Sequence, residues 1–261
     1  MLKLDVIEPA TTPYSSPVVL VKKKDGSHRF CVDYRRLNRI TEFNVEQLPD
    51  PEHIFTSLSK AKYFSKIDLA KGYWQIPVRS EDRSKLAFAT PNRTYQWKVM
   101  PFGVQNAPSV FTRMMRKLLE PLRDRGLANF MDDLLLATET WEEHLALLRD
   151  VLDRLRQTGL TARPTKCHIG FRTLGYLGHT LREGAISPDP DKVRQLREAD
   201  RPLTKTQVRS FLGLAGYYRK YVPNFSAIAA PLSDLTRKQA PNTVIWTDTE
   251  ETAFQTLKDR L

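Results

Sequence analysis

Acidic residues stand at two places in this 261-residue chain where the surrounding sequence is apolar. Asp132 and Asp133 interrupt the run ANFMDDLLLA, and Asp68 ends the stretch YFSKID. Carboxylates that cluster in partly apolar surroundings repel one another and resist ionisation unless a cation compensates them. Such hard oxygen ligands suit Mg²⁺, and pairs of these ions recur in enzymes that transfer phosphoryl groups. Aspartate is also a common turn residue, so the adjacent pair alone is a weak signal.

The elements that carry these carboxylates are predicted to be strands. Phe130 and Met131 end one strand, residues 134–136 form the next, and the acidic pair lies at the tight turn of this hairpin. The stretch KYFSKIDLAKGYWQIPV predicts a strand up to the first aspartate, a turn with Gly72, and renewed β character through Ile76.

Helices are predicted on either side of the acidic pair. Pro108 suits the first turn of a helix, and Thr140 with Glu143 forms a capping box for another. Thr204 and Gln207 form a further capping box. The predicted buried stripes are Val110, Phe111, Met114, Met115, Leu118 and Leu119 in the first helix, Leu145, Leu148, Val151, Leu152 and Leu155 in the second, and Val208, Phe211, Leu212 and Ala215 in the third. Strands and helices mix without βαβ alternation, which favours the α+β class.

Composition narrows the class of protein. Hydrophobic residues make up 41% of the chain and charged residues 27%, which is typical of a globular protein. No apolar run approaches the roughly 20 residues that cross a bilayer, so no membrane partner is predicted. Two cysteines outside any CxxC pattern favour a reducing, intracellular compartment. The net charge of +11 indicates either simple solubility or a polyanionic partner, most often nucleic acid.

Six blocks of the chain, in order, resemble the successive motifs of reverse transcriptases of the gypsy-like LTR retrotransposon type. The blocks are VLVKKKDGSHRFCVDYRRLN, KIDLAKGYWQIPV, MPFGVQNAPSVF, FMDDLLLAT, KCHIG with LGYLGHTL, and LTKTQVRSFLGLAGYYRKYVPNFS. The resemblance covers nearly the whole chain. It implies a right-hand fold with fingers, a palm of antiparallel sheet packed on helices, and a helical thumb. Fingers are expected over roughly residues 1–60 and 77–100, palm over 61–76 and 101–185, and thumb with the start of a connection over 186–261.

The resemblance implies an RNA-directed DNA polymerase that adds dNTPs to a primer 3′-OH by two-metal nucleotidyl transfer. The implied metals are two Mg²⁺ ions, with Mn²⁺ as the alternative. The implied catalytic residues are Asp68, Asp132, Asp133 and Lys166, with Asp68, Asp132 and the backbone of Leu69 as metal ligands. The implied nucleotide contacts are Lys23, Arg29, Leu69, Tyr73 and Phe102. The implied primer and template contacts are Gly103, Phe130, Met131, Leu177, Gly178, His179, Arg209, Gly213 and Tyr217.

Several of these implied roles have alternatives. Tyr73 matches the bulky residue that packs under the sugar and excludes a 2′-OH, with ordinary core packing as the less favoured alternative. Lys166 matches a lysine proposed to protonate the leaving pyrophosphate, although a salt bridge would also explain it. Gly213 costs about 1 kcal/mol inside a helix relative to Ala, which close approach to nucleic acid or helix–helix packing could justify. No zinc role is predicted for His179, because no partners stand at ligand spacing.

Two positions depart from the family pattern. Phe130 stands where the family usually has Tyr, so one hydrogen bond near the primer or template is lost. That loss puts the rate or fidelity in doubt, not metal binding. Lys71 stands where retroviral enzymes often carry an acid.

The expected partners are an RNA template, a DNA primer, RNA–DNA hybrid, DNA duplex and dNTPs. RNase H and integrase domains are expected in a parent polyprotein, and no RNase H acidic cluster is found in this sequence. The expected location is the cytoplasm, within retroelement particles, and the oligomeric state is left open. Two rival functions remain: a domesticated, non-catalytic nucleic-acid binder, and a DNA-templated repair polymerase with a similar palm.

Overall fold

The computed structural model describes residues 1–22, 26–47, 49–58 and 60–261. The chain divides into two compact units. Unit 1 comprises Met1–Leu174 with Arg182–Ala185, and unit 2 comprises Gly175–Leu181 with Ile186–Leu261. The predicted domains meet at residue 185, whereas the segment Gly175–Leu181 groups with unit 2 because its backbone is hydrogen-bonded to residues of that unit.

Unit 1 is built on two sheets. Its strands are β1 (Ile7–Pro9), β2 (Ser16–Lys22), β3 (His28–Val32), β4 (Tyr63–Asp68), β5 (Phe88–Ala89), β6 (Thr94–Trp97), β7 (Leu127–Phe130), β8 (Asp133–Thr138) and β9 (His168–Phe171). One sheet has the order β1–β6–β5–β2–β3, and the other has the order β7–β8–β4–β9. Neighbouring strands are antiparallel except for the parallel pair β2 and β5. The predicted hairpin of β7 and β8 is confirmed, and β2 pairs with β3 in the same antiparallel way.

Helices cover one face of the second sheet. The helices of unit 1 are α1 (Arg35–Ile40), α2 (Pro51–Ser57), α3 (Ser80–Arg83), α4 (Ala107–Leu119) and α5 (Trp141–Gln157), with short 3-10 turns at Leu2–Leu4, Gly72–Gln75, Ser84–Leu86, Glu120–Arg125 and Pro164–Lys166. Ile67 and Leu134 from the sheet share one core with Phe111 of α4 and Val151 of α5. The helix-facing side of the two central strands is therefore buried and mainly apolar, and the α+β class is confirmed.

The buried face of α5 differs from the predicted stripe. Leu145 and Leu152 are more than two-fifths exposed, whereas Leu147 is 1% exposed. His144, in the first turn of the helix, is completely buried and belongs to this face. The predicted stripe omitted Leu147 and His144, because the face is turned toward the side on which His144 finds hydrogen-bond partners.

A buried hydrogen-bond chain centred on His144 joins three strands to α5. The hydroxyl of Thr138 donates to the carbonyl of Thr140 at 3.1 Å and lies 3.0 Å from His144 Nδ1. Nδ1 therefore carries the proton, and Nε2 accepts from the Ser65 hydroxyl at 2.6 Å. Ser65 Oγ accepts in turn from the Gly170 amide at 2.9 Å. Burial lowers the pKa of His144, so the neutral ring that this chain requires is favoured.

The segment after β4 contradicts the predicted β character through Ile76. Lys71 adopts a left-handed conformation with φ 53°, and Gly72–Gln75 form a 3-10 turn. The Gln75 side chain donates to the carbonyl of Ala70 at 2.8 Å and accepts from the Thr161 amide at 2.6 Å. These long-range bonds hold the chain in a turn, which strand-like composition alone does not reveal.

Unit 2 is mainly helical. Its helices are α6 (Pro190–Arg197), α7 (Lys205–Tyr217), α8 (Phe225–Asp234) and α9 (Asp248–Arg260), with a 3-10 turn at Arg219–Tyr221. Three further strands, β10 (Thr173–Tyr176), β11 (His179–Arg182) and β12 (Ala185–Pro188), each include residues of both units. Strands β10, β11 and β12 form a sheet in that order. The core joins Val208 and Phe211 of α7 to Leu232 of α8 and Phe254 of α9. Among the helices described in either unit, none is long and apolar enough to cross a membrane.

The capping boxes predicted from the sequence are confirmed at the start of two helices. The hydroxyl of Thr140 accepts from the Glu143 amide at the start of α5, and the Glu143 carboxylate accepts from the Thr140 amide. Thr204 and Gln207 make the same reciprocal pair at the start of α7. These local bonds fix where both helices begin.

Gly126, at the turn into β7, offers a test of this packing. Its φ is 93°, and a Cβ added there would lie 2.0 Å from the carbonyl oxygen of Ala137. We expect Gly126→Ala to lower the free energy of unfolding by about 3 kcal/mol or more, because left-handed strain adds to a clash with backbone. Urea denaturation of the purified variants measures this loss.

Gly159 provides the matched control. Its φ is 71°, but an added Cβ would meet nothing within 4 Å. Gly159→Ala should therefore cost only the conformational strain, about 1–2 kcal/mol. Equal losses for the two substitutions would show that the contact with Ala137 does not constrain β7.

Candidate active site

The antiparallel register brings the predicted acidic residues to one end of the sheet. Asp68, the last residue of β4, lies directly opposite Asp133, the first residue of β8. Residues opposite each other in an antiparallel pair share a face, so these two side chains emerge on the same side. Asp132 lies in the turn between β7 and β8, and its carbonyl accepts from the Leu69 amide at 3.1 Å. Three carboxylates from two separate parts of the chain are thereby brought to one end of the sheet.

The turn that presents Asp132 is strained. Met131 has φ 54°, a left-handed value that L-residues with a side chain rarely adopt. The hydrogen bond from Leu69 to Asp132 holds the turn against β4. Such strain persists only where the surrounding structure over-determines it, and it is common at functional sites.

Gly72 lets the 3-10 turn approach the hairpin. A Cβ added at this position would lie 3.2 Å from the Cβ of Asp132 and 3.5 Å from the ring of Phe111. The contact with Asp132 is tighter than most side-chain packing, whereas the contact with Phe111 is ordinary, so a larger residue would press on Asp132. The glycine thus has a packing reason in its closeness to Asp132.

Two lysines neutralise two of the three carboxylates. Lys66 Nζ lies 3.1 Å from Asp133 Oδ2, and both side chains are about a quarter exposed. Lys166 Nζ lies 3.7 Å from Asp68 Oδ2, with the lysine more than half exposed. The salt-bridge alternative for Lys166 is therefore present in the structure. Sequence analysis missed Lys66, although its position two residues before Asp68 places both on one face of β4.

Asp132 forms no direct ion pair with a lysine or arginine among the described residues. Burial raises its pKa, and the charges of Asp133 and Asp68 raise that pKa further, whereas the charge of Lys166 lowers it. The charged form of Asp132 is thus less stable here than in water, and a further positive charge nearby would stabilise it.

The donor set fits a divalent ion that also binds substrate. Within the described part of the chain, no group of three His, Cys, Asp or Glu side chains could hold a metal by itself. Mg²⁺ is usually held by one or two carboxylates together with waters and substrate phosphates, which is what Asp68 and Asp132 can offer. The Leu69 side chain is 1% exposed in the core, so only its backbone could contribute. Because Asp133 is paired with Lys66, its expected role is to support the site rather than to bind the metal directly.

Aromatic rings border the carboxylates. The Tyr73 ring lies 5.2 Å from that of Phe102 and 5.6 Å from that of Phe111, measured between centroids. Burial and the charge of Asp132 raise the pKa of Tyr73, so its hydroxyl stays protonated. Tyr73 therefore packs on the core through Phe111 and lies close enough to Asp132 to feel its charge, while its role in sugar selection stays a prediction. Phe102 is 56% exposed beside it.

The other predicted residues of unit 1 are spread over its two sheets. Arg29 is exposed on β3, opposite Val21. Gly103 has φ 93°, and its carbonyl accepts from Asn38 at 2.9 Å. Phe130 ends β7, beside the acidic turn. Lys23 lies outside the described residues, so its predicted contact with nucleotide stays a prediction.

The predicted residues of unit 2 gather at α7 and the turn between β10 and β11. His179 is 2% exposed, so its side chain is packed inside the unit. Arg209 donates to the carbonyl of Thr236 at 2.8 Å. Gly213 is exposed, and an added Cβ would meet nothing within 4 Å. Helix–helix packing therefore does not account for this glycine within the described residues.

Comparison with known proteins agrees with this geometry. Residues 21–181 match the family described as reverse transcriptase (RNA-dependent DNA polymerase). The chain is 37% identical over 244 residues to the retrovirus-related Pol polyprotein from transposon 297 of Drosophila melanogaster, covering 92% of this chain and 23% of that protein. It is 32% identical over 261 residues to a genome polyprotein of Petunia vein clearing virus, covering 98% of this chain and 12% of that protein.

Solved structures extend the comparison to the fold. A foamy viral protease–reverse transcriptase in complex with double-stranded DNA matches with a TM-score of 0.92 and 28% identity, over 99% of this chain and 45% of that one. The foamy viral protease–reverse transcriptase with RNA/DNA hybrid matches with a TM-score of 0.90 and 28% identity, over 99% and 35%. The chain thus spans less than half of each of these relatives. Since the family match covers more than half of the sequence, the chain belongs to the reverse transcriptase (RNA-dependent DNA polymerase) family.

Proposed function

We propose that this chain is the polymerase part of a gypsy-type LTR retrotransposon Pol polyprotein, and that it extends a primer 3′-OH with dNTPs on an RNA or DNA template. The observation that carries the proposal is the cluster of Asp68, Asp132 and Asp133 at one sheet end, in which burial raises the pKa of Asp132 and no lysine or arginine of the described residues forms an ion pair with it. A polyphosphate substrate arriving with divalent cations would supply the missing charge.

Asp68 and Asp132, with the Leu69 carbonyl, would hold two Mg²⁺ ions, or Mn²⁺ as the alternative. When bound, such ions lower the pKa of the attacking hydroxyl and neutralise the leaving group. In the reaction, the primer 3′-oxygen forms a bond to the α-phosphorus as the bond to the pyrophosphate oxygen breaks. Asp133 supports the site from its ion pair with Lys66, whose positive charge limits the repulsion within the cluster.

The remaining side chains would orient and discriminate. Tyr73 lies between the acidic site and the core, where its ring would pack under the sugar and exclude a 2′-OH. Lys166, close to Asp68 and more than half exposed, could reach the leaving pyrophosphate and donate a proton to it. Arg29 and Lys23 would bind the triphosphate as a guanidinium fork and a point charge.

The two units would have different roles in binding the substrates. Unit 1 would supply the fingers and palm, and unit 2 the thumb that follows the primer–template duplex. The exposed face of α7 with Arg209, Gly213 and Tyr217 suits shape-based contact with the wide minor groove of an RNA–DNA hybrid. RNase H and integrase would belong to other parts of the polyprotein, and the setting would be a cytoplasmic retroelement particle.

The direct test is extension of a labelled DNA primer on RNA and DNA templates of matched sequence, with Mg²⁺, with Mn²⁺ and with EDTA. We expect extension on both templates that requires a divalent ion. Extension on DNA alone would favour a repair-type polymerase, and tight duplex binding without extension would indicate a non-catalytic binder.

Asp132→Asn tests the metal-binding role. The variant keeps the size of the side chain but removes a negative oxygen ligand, so primer extension should fall by about a thousandfold or more, while duplex binding stays unchanged. Single-turnover extension and fluorescence anisotropy measure the two quantities. Asp153→Asn, on the surface of α5 and paired only with Arg156, is the matched control. Near-wild-type extension by Asp132→Asn would refute the assignment.

Tyr73→Ala tests sugar selection. Removal of the ring should raise the incorporation of ribonucleotides relative to deoxyribonucleotides by about tenfold or more, because a steric barrier is lost. The ratio of kcat/KM values for matched rNTP and dNTP pairs measures it. Tyr73→Phe keeps the ring and should retain most of the discrimination; an unchanged ratio in Tyr73→Ala would remove this residue from that role.

A further inference from the structure

The turn between β10 and β11 has an unusual conformation for its sequence. Its two residues, Leu177 and Gly178, both lie in the left-handed region, with φ values of 46° and 70°. Two-residue hairpins with this geometry strongly prefer Asn-Gly, because most side chains are disfavoured at the first position. A leucine in that place needs support from elsewhere in the fold.

Consecutive tyrosines supply that support. The Tyr217 hydroxyl donates to the carbonyl of Leu177 at 2.6 Å, and the Tyr218 hydroxyl donates to the carbonyl of Gly178 at 2.7 Å. The Gly178 carbonyl also accepts from the Asp189 amide at 3.0 Å. Both carbonyls at the tip of the turn are thus held by the C-terminal end of α7.

The same tyrosines surround the next residue of the hairpin. The His179 ring lies 5.4 Å from Tyr217 and 5.5 Å from Tyr218 between centroids, and a Cβ added at Gly178 would lie 3.1 Å from the Tyr218 hydroxyl. Tyr218 is 1% exposed, whereas Tyr217 is 45% exposed. Burial raises the pKa of Tyr218 to about 12, and it also raises the pKa of Tyr217, so both hydroxyls remain donors.

We infer that Tyr217 and Tyr218 are positioning residues, whose hydroxyls hold the turn of Leu177 and Gly178 in its left-handed conformation and so orient its backbone toward the primer end. This inference rests on the proposed function for the identity of the ligand. The two parts of Tyr217 then have different roles: its hydroxyl holds the turn, and its half-exposed ring remains on the outer face of α7.

Tyr217→Phe isolates the hydroxyl, because the ring is kept. We expect the single-turnover extension rate at saturating dNTP to fall about three- to tenfold, the size of one lost hydrogen bond, with duplex affinity changed less than about twofold. Hydrogen exchange of the turn amides should become faster. Tyr221→Phe is the matched control in the same aromatic cluster, since the Tyr221 hydroxyl lies 3.4 Å from the carbonyl of Ile186 on β12 rather than from the turn.

A double-mutant cycle shows whether the hydroxyl acts through the turn. Leu177→Asn introduces the residue that this turn prefers, so Tyr217→Phe should cost less than about twofold in that background. Equal losses in both backgrounds, or unchanged turn exchange in Tyr217→Phe, would overturn the inference. An inactive wild-type chain would contradict the proposed function instead, while the exchange measurement would still decide whether the hydroxyl holds the turn.

Discussion

Repulsion among three carboxylates is the constraint that organises unit 1. The register of β4 against β8 forces Asp68 and Asp133 to share a face, and the turn before β8 adds Asp132. Lys66 and Lys166 relieve two of these charges, but burial raises the pKa of Asp132 and no described cation pairs with it. The surroundings of Asp132 thus disfavour its charged form, and perturbed carboxylates of this kind are typical of functional sites.

The strands that carry these carboxylates must be held rigidly, because three side chains can bind one ligand together only at a fixed separation. Beneath the acidic end, Ile67 and Leu134 are packed against Phe111 of α4. Farther along the same strands, the neutral His144 joins Ser65 of β4 to Thr138 of β8 and, through Ser65, to β9. Apolar packing and a fully bonded polar chain thus fix the strands that carry the acidic residues.

The sequence predicted features that depend on neighbours in the chain. The hairpin of β7 and β8 and both capping boxes follow from residues within a few positions of one another. The bond between His144 and Ser65 could not be found this way, because Ser65 lies 79 residues away. Lys66 could have been found, since the alternation of a strand places it on the face of Asp68.

The resemblance to a family predicted different features from those that local sequence patterns predicted. It selected the positions that the structure gathers near the acidic turn, including Tyr73 and Lys166, but it could not say what each side chain touches. Lys166 forms the salt bridge with Asp68 that was its alternative explanation, and an exposed ion pair of this kind leaves the lysine able to exchange partners. The two roles considered for Lys166, a salt bridge with Asp68 and proton donation to the pyrophosphate, are therefore compatible.

In unit 2, Tyr217 and Tyr218 have a physical role that their position in the sequence motif does not reveal. The pair Tyr217 and Tyr218 follows directly on the exposed stripe of α7, and helical spacing alone places the first of them on that stripe. Their hydroxyls nevertheless point to carbonyls about 40 residues earlier in the chain, at a turn whose leucine is poorly suited to its conformation. A helix that presents one face outward thus also fixes the loop beside it, because the hydroxyls of Tyr217 and Tyr218 both bind the backbone of the turn.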